Sequence, residues 1–142
     1  NYRNNMKHLC NDWSNSDFSL IVDTDVEFTV RNFNDMITLL QNNNDIAMVT
    51  PFAYAGHTLK YYDTYALDSD INICVLMPEI QEVHSAFGGF VLLRTKVLEM
   101  CTWGITDGKI CSEHNYFCNM VNTYGKIVIA RDIRVFWRNK FA

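Results

Sequence analysis

Hydrophobic and polar positions along the chain fall into runs whose period changes from segment to segment. Residues 2–13 read as the end of a helix, closed by a polar turn at Asn15 to Asp17. FSLIV (18–22) follows, mostly apolar, as in a strand covered on both faces. Beyond an acidic turn, Phe33, Met36, Ile37 and Leu40 recur at helical spacing, which predicts a helix from about Arg31 to Gln41 that the Asn42–Asn44 run ends. DIAMVTPF (45–52) predicts a second strand, stopped by Pro51. Strand, helix, strand in close succession predicts a unit whose two strands run parallel.

The middle of the chain is less regular. Residues 56–70 suit a short strand or an ordered loop, and 71–82 read as loop. VHSAFGGFVLLR (83–94) predicts a strand broken by Gly88-Gly89, with a helix over 95–101. Another helix is expected at about 112–123, with Gly125 as its C-terminal cap. Residues 126–137 predict one or two short strands. There is no repeat, low-complexity tract or linker, so residues 1–142 read as one α/β domain.

Composition narrows the function classes. The chain has 142 residues, 49% of them hydrophobic and 20% charged, which is ordinary globular usage. Its formal net charge is −4, and Lys and Arg are scattered, so there is no nucleic-acid footprint. No apolar segment is long enough to span a bilayer, and no secretory-type leader stands at residue 1. The start without Met, already within helical sequence, fits a processed terminus or a piece of a longer chain, and leaves cytoplasm and secretory-pathway lumen both open. Five cysteines without a C-x-x-C pair argue against a zinc ribbon. Cys10, Cys101 and Cys118 have the surroundings of buried thiols. That favours a reducing compartment, with one or two disulfides in a lumenal protein still open.

Chemistry concentrates where the first strand ends, in Asp23-Thr24-Asp25. Ligands of open α/β sheets sit beyond the carboxyl ends of the strands. Two carboxylates there are hard ligands for Mg²⁺ or Mn²⁺, which in turn bridges nucleotide phosphates. In extended backbone, residues two apart point the same way, so Asp23 and Asp25 address one ion and Thr24 turns aside. The plain alternative is a solvated strand end with Asp as a turn residue.

FSLIVDTDVEF (18–28) resembles the D-x-D segment of GT-A-fold glycosyltransferases, which use nucleotide-sugar donors. Residues 48–69, HSAFGGFVLLRTKVL (84–98) and CSEHNYFCNMVNTYGKIVIARDIRV (111–135) follow in the order of that family, closest to its capsule-associated α-mannosyltransferase-like members. The resemblance implies a GT-A-like, Rossmann-like mixed sheet with flanking helices. It implies transfer of a sugar from a UDP- or GDP-linked donor to a glycan or protein acceptor.

By position, Asp23, Thr24 and Asp25 would hold the metal and the diphosphate, and Gly88 and Gly89 would let the backbone approach the sugar. A tight bend explains the glycines equally well. Glu113 would be the acid near the acceptor hydroxyl, a general base if the enzyme inverts and a positioning group if it retains. It also suits the first turn of a helix capped by Ser112. His114 stands where the family commonly has a second acid. His114 and His84 are candidates for a metal or phosphate contact, while His8 and His57 read as structural. Asp132 is the one acid near the C-terminus, and a third metal ligand stays unassigned.

Asp63, among Tyr61, Tyr62 and Tyr65, is a candidate for sugar hydroxyls. The tyrosines, Trp103 and Trp137 suit strand or core packing at least as well. Arg131 and Arg134 suit either a diphosphate or a solvated edge.

In that family the D-x-D motif follows a nucleotide-binding half, so the resemblance implies a sheet open on one side. A second segment, another chain or a second copy would complete it. Two other readings stand beside the transferase. One is a truncated, non-catalytic binding or assembly module. The other is a haloacid-dehalogenase-type phosphatase, which expects Thr or Val where this chain has Glu27.

Overall fold

The computed structural model describes residues 2–9, 13–56, 58–105 and 112–138. Helix α1 (Tyr2–Leu9) and a short 3₁₀ turn (Trp13–Asn15) lead into strand β1 (Phe18–Val22). Strand β2 (Val26–Glu27), helix α2 (Val30–Asn42) and strand β3 (Ile46–Ala55) follow. A long loop reaches strands β4 (Ile80–Val83) and β5 (Phe90–Arg94). Helices α3 (Thr95–Met100) and α4 (Glu113–Val121) precede the closing strand β6 (Lys126–Trp137).

The six strands form one open mixed sheet in the order β1-β5-β3-β6-β2, with β4 also on β6. Only the β3–β6 pairing is parallel. Strands β1 and β3 do run in the same direction, but β5 lies antiparallel between them. The expected strand–helix–strand unit is therefore split by a strand from much later in the chain. One consequence positions the site: the carboxyl ends of β1, β3 and β6 share an end of the sheet with the start of β5.

Alternation along the strands divides the interior in two. Ile46, Val49, Phe90, Leu92 and Val128 meet α2 on one face, where Met36 and Leu40 are buried and Phe33 and Ile37 pack alongside. All four apolar positions read from the helical spacing thus meet one face of the sheet. Met48, Phe52, Val91, Leu93, Ile127 and Ile129 face the other layer, with α3, α4 and the long loop. Helix α2 starts on a reciprocal cap: the Thr29 hydroxyl accepts from the Asn32 N–H, and the Asn32 side chain accepts from the Thr29 N–H.

Three boundaries differ from expectation. Pro51 does not stop β3, which continues to Ala55. The register against β6 shifts between Pro51 and Phe52, and β5 pairs with β3 only at Met48 and Val49. Pro51 thus lies at an irregularity, where a missing N–H costs least. The same shift loops out Arg131, Asp132 and Ile133, so 126–137 is one strand with a bulge rather than two short ones. Gly125 does not cap α4, because Asn122 does. It is needed instead at the start of β6, where a Cβ would lie 2.9 Å from the Asp45 carbonyl oxygen.

The middle loop is held by side chains rather than strands, with single bridges at Tyr54–Tyr61 and Asp68–Ser85. Asn115 of α4 donates to the Ala66 carbonyl and the Ser85 hydroxyl, tying the loop to the helix. Cys101 and Cys118 are buried free thiols, which burial pushes up to about 11 in pKa. Cys74 is also a free thiol, while Cys10, Cys111 and His57 lie outside the described residues.

Candidate functional site

The strand β1 ends at Val22, and the chain turns at once. The Asp23 N–H donates to the Gly89 carbonyl at 2.8 Å, and the Asp23 carbonyl accepts from the Val26 N–H at 3.3 Å. This turn replaces the extended geometry expected for Asp23-Thr24-Asp25. Thr24 is exposed, as the alternation anticipated, but by turning rather than by strand pleat. Asp23 and Asp25 remain close enough for their charges to oppose each other. The Asp25 carbonyl accepts from the Arg138 N–H at 2.7 Å, which fixes the turn to the end of β6.

Gly88 and Gly89 both adopt φ of +68°, so the segment 84–89 is a left-handed bend and not a strand. A Cβ on Gly89 would lie 2.5 Å from the Trp137 ring and 2.8 Å from Val26, so the chain itself fills the space a side chain would need. The bend accounts for both glycines without a sugar against them. It also joins two of the acids. The Gly88 N–H donates to Asp63 Oδ2 at 2.7 Å, while Gly89 accepts from Asp23. Asp63, far from Asp23 in sequence, is thereby brought within its electrostatic reach. Burial raises the Asp63 carboxyl above its ordinary range, the N–H groups of Gly88 and Ala66 oppose this, and Asp23 adds to it.

Glu113 reaches the same place as the first residue of α4, whose N-cap Ser112 accepts from the Asn115 N–H. Between Glu113 and Asp23 stands a residue that sequence reasoning missed. Arg3 of α1 ion-pairs closely with Glu113 and lies 3.4 Å from Asp23 Oδ1. Burial raises the Asp23 carboxyl; Arg3 opposes this, and Asp25 and Glu113 reinforce it. No local pattern marks Arg3, since it sits on a short helix and both partners are distant in sequence. From Arg3 and Asp23 a cleft of about 420 Å³ runs between α1 and β1 to Trp13 and Leu98.

His114 is placed otherwise than expected. Its ring stacks on Phe87, with centroids 3.9 Å apart and an 18° tilt, and its Nδ1 accepts from Trp103 Nε1–H at 3.3 Å. Burial, then the charge of Arg3, pushes it down to about 4 in pKa. His114 is thus a neutral packing residue, and among the described residues no three His, Cys, Asp or Glu side chains gather to hold a metal ion. Asp23 and Asp25 form a two-carboxylate set. Both are hard oxygen donors of the kind that Mg²⁺ and Mn²⁺ take, with water filling the rest of the shell.

This placement has a pH consequence. An unfolded histidine titrates near 6.5 and the folded His114 near 4, so between these values the unfolded chain binds more protons. The His114 contribution is therefore complete above pH 6.5 and is lost as pH falls toward 4. Asp23 and Asp63, raised in the folded state, act in the opposite sense, so the comparison must isolate the histidine. Between pH 7 and 4.5, His114→Phe is expected to lose about 2 kcal/mol less stability than wild type, measured by urea unfolding at each pH.

The remaining candidates fall into packing or surface roles. Tyr61 is buried edge-on to Phe52, and Tyr62 tilts on Trp137 at 5.4 Å. Tyr65 is exposed. Trp103 is buried and stacks on Phe117 at 4.0 Å. His84 is exposed beside Asp70 at 3.3 Å, and Asp132 pairs with Arg131 in the bulge. Arg131 also donates to the Met77 carbonyl at 2.9 Å, and Arg134 is exposed. The fold thus ties Asp23 and Asp63 to the Gly88-Gly89 bend and brings Asp25 and Glu113 within charge reach of Asp23, with Arg3 between Asp23 and Glu113. No family model matches the chain, and a search of curated proteins returns no match.

Proposed function

We propose that this chain carries the catalytic and acceptor part of a metal-dependent glycosyltransferase of GT-A type. The observation that supports it is the convergence of Asp23, Asp63 and Glu113 at the carboxyl end of β1, beside one glycine bend. Three acids from three separate segments, at the end of an open sheet where ligands bind, suit a substrate rich in hydroxyl and phosphate groups.

In this reading Asp23 and Asp25 hold Mn²⁺ or Mg²⁺, which supplies charge neutralisation for the diphosphate of a UDP- or GDP-linked donor. Asp63, its carboxylate fixed by the N–H groups of Gly88 and Ala66, accepts from a sugar hydroxyl. Glu113 faces the acceptor hydroxyl of a glycan or protein and takes its proton in an inverting reaction, or orients it in a retaining one. Strand β1 stands at the end of the strand order and pairs with β5 alone among the described residues. That open edge is where a further segment, another chain or a second copy would add to the sheet.

The test is sugar transfer and donor hydrolysis over a panel of UDP- and GDP-sugars with Mn²⁺. Asp23→Ala and Asp25→Ala are each expected to lower kcat/KM about a hundredfold, close to 2.7 kcal/mol of barrier. Full activity in both variants would overturn the metal site. Release of phosphate from simple phosphomonoesters without sugar transfer would favour a phosphatase. Binding of donor without turnover would favour a non-catalytic module.

A further inference from the structure

Arg3 occupies the place where the two acids central to the proposed chemistry converge. Its side chain is 19% exposed, pairs with Glu113, and lies 3.4 Å from Asp23 Oδ1. Arg3 thus bridges the two acids. Arg3 also lies over the Phe87 ring, 5.9 Å from its centroid.

The helix that carries Arg3 is docked by other contacts. Asn4 Nδ2 donates to the Trp103 carbonyl at 2.9 Å, and Asn4 Oδ1 accepts from the Trp103 N–H at 3.1 Å. Lys7 donates to the carbonyls of Leu98 and Cys101 at the end of α3. These contacts hold α1 in place independently of the ion pairs of Arg3.

We propose that Arg3 is a built-in counter-cation. It compensates Asp23 and Glu113 when no divalent ion is bound, and it must release Asp23 for such an ion to bind. This rests on the metal-dependent reading above. A divalent ion on Asp23 and a guanidinium at the distance of a weak ion pair from the same oxygen repel each other strongly in a half-buried site. Arg3 then stays with Glu113, its other partner. The price is affinity, because every ion must displace a resident charge. The device partly offsets the charge of the acids before an ion binds and makes ion binding conditional on moving Arg3.

Titration of Mn²⁺, with free ion followed by electron paramagnetic resonance and no nucleotide present, tests this on the whole chain. Arg3→Gln is expected to bind Mn²⁺ about tenfold more tightly than wild type. Arg3→Lys, which keeps the charge, is expected to stay within about twofold of wild type, and Asp23→Asn to abolish binding. Thermal unfolding gives a second readout. Saturating Mn²⁺ should raise the melting temperature more in Arg3→Gln than in wild type, as tighter binding to the folded state requires. If binding depends on Asp23 but Arg3→Gln binds no more tightly, the counter-cation role is overturned and the metal site stands. If no variant binds Mn²⁺ at millimolar concentration, both fall together.

Discussion

Replacing Phe87 with alanine is expected to lower the unfolding free energy by about 4 kcal/mol, measured by urea denaturation. The side chain is fully buried, and its ring carries contacts from three directions. His114 stacks on it at 3.9 Å, Trp103 meets it edge-on at 6.4 Å, and Arg3 lies over it at 5.9 Å. Truncation leaves a cavity that α4 cannot close, because Phe117 and Trp103 are already stacked against each other beside it. Phe87→Leu keeps much of the volume and should cost about half as much. A loss under 1 kcal/mol for the alanine variant would mean that the layer around His114 rearranges freely. It would then undercut the histidine's fixed, neutral placement as well.

The second large effect is expected at the bend that joins the acids. Gly89→Ala should destabilise by about 3 kcal/mol, and Gly88→Ala by about 1–2 kcal/mol. Both residues have φ of +68°, so both substitutions meet the same left-handed penalty. They differ in what a methyl group touches. At Gly88 the nearest atoms are Ala53 and Pro51, at 3.3–3.4 Å, a contact that small shifts relieve. At Gly89 the Trp137 ring is 2.5 Å away and Val26 is 2.8 Å away. Trp137 cannot retreat easily, since it pairs with Val26 in the β2–β6 ladder and packs on Tyr62. Equal losses in the two variants would show that the backbone alone requires glycine here.

Local pattern made part of this molecule readable. The run Phe18–Val22 and the spacing of Phe33, Met36, Ile37 and Leu40 carry their own signal, because burial on one sheet face demands it. Ser112 and Glu113 announced the start of α4 through capping chemistry that acts within one turn. What failed to show was set by distant partners. The insertion of β5 between β1 and β3 depends on pairing of Leu20 with Leu92 and Val49 with Leu92, which no window of sequence contains. Pro51 argued for a strand end by a sound local rule, and a register shift against β6 overrode it. Asp23 and Asp63 were each visible as acids. Their meeting required the Gly88-Gly89 bend, and the ion pairs of Arg3 required α1 to fold back beside α4. The packing of His114 was hidden because its apolar neighbours, Phe87 and Trp103, come from other segments.

The wiring of the sheet also bears on how the chain reaches its fold. Among the described residues, strand β3 takes both its partners, β5 and β6, from later sequence, and β1 pairs only with β5. Pairings this distant carry a loop-closure cost before any contact is rewarded, and chains built on them fold slowly. As the polypeptide emerges from the ribosome, β1 and β3 are made well before β5 and β6, the partners they take among the described residues. Helix α2 can shelter one face of β3 during that interval. Two like charges in the acidic turn at the end of β1 disfavour the joining of that strand end to other chains.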